Sequence, residues 1–83
     1  MKNIMILFKS VFDVKEFVGI VNDFEYDVDL VSGRYVVDAK SIMGIFSLDL
    51  MKPVKVEIHS DESDELILRL APFLYREQPA DPK

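Results

Sequence analysis

Apolar residues along this chain change their spacing repeatedly, from the alternation of a strand to the three-and-four spacing of a helix and back, and that pattern most restricts the fold. Val54, Val56 and Ile58 alternate with Lys55, Glu57 and His59, as a strand with one wet face does. Asp27-Val28-Asp29-Leu30-Val31 alternates likewise, Ser32-Gly33 supplies a turn, and Arg34-Tyr35-Val36-Val37-Asp38 completes a hairpin. Lys2 to Phe8 carries the short apolar run Ile4 to Phe8 and reads as a strand covered on at least one face. Between these strands, Val14, Phe17, Val18, Val21 and Phe24 recur on one helical face. Asp13 and Glu16 form a D-x-x-E start signal, so the first helix is expected to begin near Asp13.

Ser41 is a good N-cap, and Ile42 to Leu50 is expected to be a second short helix before Pro53 closes the connection. Ser60, Asp61, Glu62, Asp64 and Glu65 read as a capped acidic first turn of a third helix, whose core stripe is Leu66, Ile67, Leu70, Phe73 and Leu74. Pro72 removes a backbone donor inside that stripe, so the helix should kink or end near Ala71. The expected order is strand, helix, strand, strand, helix, strand, helix. Short antiparallel connections, with helices that need one sheet face to cover, imply an α+β two-layer domain. It is expected to span residues 1–77, with 78–83, which hold two prolines, as a flexible tail.

Size and composition narrow the function classes. Eighty-three residues suffice for one hydrophobic core and no second domain. With no cysteine there is neither a disulfide framework nor a thiolate metal site, which fits a reducing cytoplasm. The Ile4 to Phe8 run is too short for a signal core or a membrane span. A net charge of −5, with ten basic residues scattered along the chain, leaves no footprint for a phosphate backbone. The expectations are a cytoplasmic location, no membrane or nucleic-acid partner, no cofactor and no metal.

Lys40-Ser41-Ile42-Met43-Gly44-Ile45-Phe46-Ser47-Leu48 resembles the K-S-I-M-G-x-x-S-L segment at the second helix of HPr, the phosphocarrier of the bacterial sugar phosphotransferase system. The resemblance extends to the element order over residues 2 to 75, to the Asp27 to Leu30 strand and to the Asp61-Glu62 stretch. It implies a βαββαβα open-faced sandwich, a four-stranded antiparallel sheet with three helices on one face. It also implies a phosphoryl acceptor histidine at the start of helix one, in a G-x-H-A-R-P setting. That chemistry requires an imidazole nucleophile, backbone amides to hold phosphate and an arginine to neutralise it. Here the stretch reads Phe8-Lys9-Ser10-Val11-Phe12-Asp13, and an ungapped count back from Lys40 sets Ser10 where the histidine stands, Phe12 for the arginine and Asp13 for the proline. The chain's one histidine, His59, falls near the end of strand four, where a solvent-facing role suffices.

The resemblance therefore implies a docking or regulatory module that does not carry phosphate on histidine, comparable to the Crh-type relatives that lack this histidine and keep the serine. Ser41 matches the serine that a regulatory kinase modifies in Gram-positive members, although N-capping alone accounts for it. Ser10, the degenerate acceptor position, has no neighbouring base and reads as an ordinary loop residue. Partner docking is expected at Phe12, Ile42, Met43 and Phe46, with Ile45 and Leu48 facing the core. Alternatively, Phe8 turns inward and Phe12 staples against Phe17, leaving only the docking surface usual in the family. The expected partner is a protein, from the phosphotransferase system or among transcriptional regulators, or a second copy of the chain. Two other readings are an atypical phosphocarrier and a small α+β dimerising or ligand-binding domain.

Overall fold

Alternation in the strands carries through to three dimensions: every second residue of the strand Val54–Ile58 is buried, as are Val28 and Leu30 of the strand beside it. In the computed structural model, which describes residues 1–75, the elements are β1 (Lys2–Ile6), α1 (Val11–Val21), β2 (Val28–Ser32), β3 (Tyr35–Asp38), α2 (Ile42–Phe46), β4 (Val54–Ile58) and α3 (Asp64–Arg69), followed by a 3-10 turn at Ala71–Phe73. The proposed tail, residues 78–83, lies outside the described residues. The strands form one antiparallel sheet in the order β1-β4-β2-β3. Val28 and Leu30 of β2 and Val54, Val56 and Ile58 of β4 are buried, and they pack with Val14, Phe17 and Val21 of α1, Ile45 of α2, and Leu66 and Leu70 of α3 in one core. The helices thus cover one face, as the resemblance implies. Gly33 has φ +61°, the left-handed conformation that the β2–β3 turn requires and a side chain would resist.

Several boundaries differ from expectation. Helix α1 begins at Val11, not at Asp13, and ends at Val21, so Phe24 belongs to the following turn, where it still packs against the core. Helix α2 stops at Phe46, four residues before Leu50; the Ser47 hydroxyl donates to the Gly44 carbonyl at 2.6 Å and the Ser47 N–H donates to the same carbonyl, closing the last turn. Asp61 and Glu62 precede α3, leaving Asp64 and Glu65 alone in its acidic first turn. The interruption expected at Pro72 occurs: α3 gives way at Leu70 to the 3-10 turn containing that proline. Strand β1 stops at Ile6, because the Leu7 N–H donates to the Phe73 carbonyl and Phe8 turns into the core. The Tyr75 N–H donates to the Met5 carbonyl and Leu74 bridges Ile6, so the chain after the 3-10 turn covers part of the β1 edge.

The connection from α1 to β2 is held by α3. Arg69 pairs with Asp23 at 2.9 Å and lies over the Phe24 ring, 5.6 Å from its centroid, while Phe24 stacks obliquely on Tyr26. The Tyr26 hydroxyl is buried without a hydrogen-bond partner, and burial, helped by the Glu65 carboxylate, raises its pKa above the ordinary tyrosine value.

Candidate functional site

The start of α1 is organised by Ser10 and Asp13 together. Ser10, in extended conformation, is the N-cap, and its Oγ accepts the Asp13 N–H at 3.2 Å. Asp13 reaches back, its Oδ2 accepting the Lys9 N–H at 2.9 Å. This is a reciprocal capping arrangement in which the first turn supplies its own anion. Asp13 is therefore a residue of the first turn and not the cap, which is Ser10. The only nearby cationic side chain in the Lys9–Asp13 stretch is Lys9; Phe12 stands where the resemblance calls for an arginine.

The second cap is built on the same residue type with different surroundings. The Ser41 Oγ accepts the Gly44 N–H at 3.2 Å, and Ser41 is half-buried. A Cβ on Gly44 would stand 3.3 Å from that Oγ and 3.4 Å from the Val37 Cβ, so glycine permits the close approach of cap to helix. Asp38 prepares this cap: its carbonyl accepts the Ser41 N–H, and its Oδ1 accepts the Lys40 N–H at 2.9 Å. The Lys40 ammonium donates to the Phe24 carbonyl at 2.8 Å and is thereby drawn toward the α1–β2 connection. It is not held in reserve for an anion at Ser41.

The apolar surface differs from the expected patch. Phe8 is 6% exposed and meets Phe17 edge-to-face at 5.3 Å, so it belongs to the core. Phe12 is 78% exposed, which excludes the staple against Phe17. Met43 is 76% and Phe46 42% exposed, whereas Ile42 is half-buried and packs against the core, so its expected outward role is reduced. Ile45 is fully buried and Leu48 packs against the core, as expected. A groove of about 200 Å³ runs between the α1 start and the chain after α2, walled by Val11, Val14, Phe46, Leu50 and Met51 over Phe8, with Lys9 and Ser10 at its polar end. Of the four expected docking residues only Phe46 lines it. Val11 and Met51, the latter 88% exposed, were not in the expected set. The position of Val11 follows from the helix starting there, capped by Ser10. For Met51 the available signal is an apolar residue in the turn Asp49 to Lys52, just past the point where α2 closes.

His59 lies apart from these caps. Its N–H donates to the Asp27 carbonyl and its Nε2 is 3.0 Å from Asp29 Oδ2, on the sheet face opposite the helices.

Comparisons with known proteins agree with this architecture. Residues 14–74 match the PTS-HPr family, described as PTS HPr component phosphorylation site; Lys9 to Asp13 lie just before the matched stretch. The solved structure of HPr-C-His from Thermoanaerobacter tengcongensis superimposes with a TM-score of 0.74 at 29% identity, covering 87% of this chain and 89% of that one. The phosphocarrier protein HPr from Bacillus anthracis str. Ames has the same fold, with a TM-score of 0.68 at 24% identity over 89% of this chain and 94% of that one. No curated protein sequence matches the chain. With a family match over most of its length and the open-faced sandwich in place, this chain belongs to the HPr family of the phosphotransferase system.

Proposed function

We propose that this chain is a docking module of the phosphotransferase system that does not carry phosphate on histidine. Members of the family are phosphocarriers and not enzymes in themselves, and they work by meeting other proteins of the system. The observation that carries the reading is the α1 start. The stretch Lys9 to Asp13 contains no imidazole, and the Asp13 carboxylate already accepts the Lys9 amide, so an arriving phosphoryl group would meet an anion and an occupied donor. What remains there is an apolar groove lined by Phe46 and Met51, and the two helices that frame it also carry exposed Phe12 and Met43; these are residue types that anchor protein contacts. Among the described residues no helix is long and apolar enough to cross a membrane.

Incubation of the full chain with phosphoenolpyruvate and the upstream phosphotransferase, followed by intact mass, tests the first half. The expected result is no acid-labile gain of one phosphoryl group; such a gain, abolished by His59→Ala, overturns it. For docking, the double variant Phe12→Asp, Phe46→Asp should remain folded by circular dichroism and lose association with phosphotransferase-system proteins. Undiminished association in the folded variant removes that half.

Regulation at Ser41 is a second reading, favoured by one observation. Ser41 caps a helix whose third residue is glycine, so no carboxylate stands within its first turn, and the nearest one, Asp38, is engaged on the Lys40 amide before the cap.

A further inference from the structure

On the sheet face that carries no helix, the strand register brings together side chains that the docking reading does not use. Val28, Leu30, Val56 and Ile58 point into the core, so Asp29 and Glu57, which lie between them, project to the opposite side. Asp29 is directly paired with Glu57 on one flank and with Asp38 on the other, which sets three carboxylates in a row across β3, β2 and β4. Like charges directly opposite one another destabilise a sheet. Lys55, two residues before Glu57 on the same strand, reaches the Glu57 carboxylate at 3.2 Å and offsets part of that repulsion. His59 follows at the end of β4 and turns its Nε2 toward the row, 3.0 Å from Asp29 Oδ2. Asp27, Asp29, Asp38 and His59 line a shallow polar recess at this place.

We propose that Asp29, Glu57 and His59 bind a single divalent transition-metal ion of the zinc class. One donor atom from each lies within 4.8 Å of the other two. The imidazole distinguishes this cluster from an ordinary acidic patch. Nitrogen and carboxylate donors together select zinc and its neighbours, whereas magnesium and calcium favour oxygen alone. For one pair the geometry is close to what such an ion needs, and the Glu57 carboxylate, within 4.8 Å of the others, has to close in on it. With metal–ligand bonds of about 2.0–2.1 Å, two ligands of a tetrahedral ion stand roughly 3.3 Å apart, so the 3.0 Å separation of His59 Nε2 and Asp29 Oδ2 needs only slight widening. Asp29 and Glu57 sit on adjacent, hydrogen-bonded strands, so little conformational freedom remains to be lost on binding. Three protein donors leave a position for water, and the ion offsets the repulsion along the carboxylate row. This site is independent of the phosphotransferase reading, being on the face opposite α1 and α2.

The test uses the full chain without an added polyhistidine segment, titrated with zinc chloride and followed by calorimetry and by the His59 ring and Asp29 and Glu57 amide resonances. One ion per chain is expected, with shifts or broadening confined to those residues and their cross-strand partners. His59→Ala and, separately, Asp29→Asn should each weaken zinc binding at least tenfold while circular dichroism is unchanged. Zinc affinity that is unaltered in either variant overturns the proposal. So does magnesium chloride, at the same concentration, moving the same resonances to the same extent, because that marks carboxylate attraction without a nitrogen ligand. Glu57→Gln, which leaves both strands' backbone pairing untouched, provides a further variant should either of the first two unfold.

Discussion

The starts of α1 and α2 use one device in two settings. In each, a serine hydroxyl accepts the amide of the third helical residue at 3.2 Å. At α1 that third residue is Asp13, whose N–H also donates to the Ser10 carbonyl at 3.1 Å and whose carboxylate turns back onto Lys9. At α2 it is Gly44, which contributes no side chain and whose amide has the Ser41 hydroxyl as its acceptor in a half-buried setting. The first cap is thus redundant and exposed, with its carboxylate inside the first turn, and the second depends on one hydroxyl and is partly buried, its nearest carboxylate, Asp38, lying outside the helix on the Lys40 amide. A helix start whose third residue is itself a carboxylate has little use for a second anion. One with glycine at that position, and its carboxylate held before the cap on the Lys40 amide, leaves the first turn itself free of negative charge.

The sharpest way to separate the two caps is to remove each hydroxyl. Ser41→Ala should cost about 1–2 kcal/mol, since the Gly44 amide is then left without an acceptor. Ser10→Ala should cost about 0.5 kcal/mol, because the Ser10 carbonyl still receives the Asp13 amide. Ser63, at the same place before α3, is fully buried with its Oγ unbonded, so Ser63→Ala should be neutral within about 0.5 kcal/mol. Denaturant unfolding at constant m-value reads all three. An equal loss at Ser10 and Ser41 would erase the contrast.

A smaller effect is expected from adding charge. Aspartate caps helices about as well as serine, so Ser41→Asp should stay folded with stability within about 0.5 kcal/mol of the parent. Ser10→Asp sets a second carboxylate beside Asp13 and should be the less stable of the two by about 0.5 kcal/mol, a gap that shrinks at high salt. Thermal unfolding of both variants at low and high ionic strength measures it. A Ser10→Asp protein as stable as Ser41→Asp would mean that Asp13 does not close the first site to anions.

Much of this was legible in the chain because strands and hairpins advertise themselves locally. The alternation of β4 matches the structure residue by residue, since a two-residue period admits no slip without exchanging wet and buried faces, and the β2–β3 hairpin is present with its turn at Gly33-Arg34, one residue later than Ser32-Gly33, because Ser32 pairs with Tyr35. Helix ends were less legible. Ser10 and Asp13 are both good caps, and local chemistry does not choose between them. The choice is consistent with the burial of Phe8 against Phe17 and Phe73, which fixes where the chain leaves the sheet and leaves Ser10 at the first position free to cap. The groove was missed for the same reason: with the helix begun two residues late and α2 extended to Leu50, neither Val11 nor Met51 is seen to border Phe46.

By itself, the sequence determined the number and type of elements, the faces their apolar residues must bury, and the absence of an imidazole near the first helix. Those follow from periodicity and residue identity, which act over a few neighbours. Only the tertiary structure decided that Ser10 and not Asp13 caps the first helix, that Phe8 is buried while Phe12 is exposed, and that Asp29, Glu57 and His59 meet on one face. Those depend on how strands far apart in sequence pair, and pairing register is set by the burial of the whole sheet, not by any one segment.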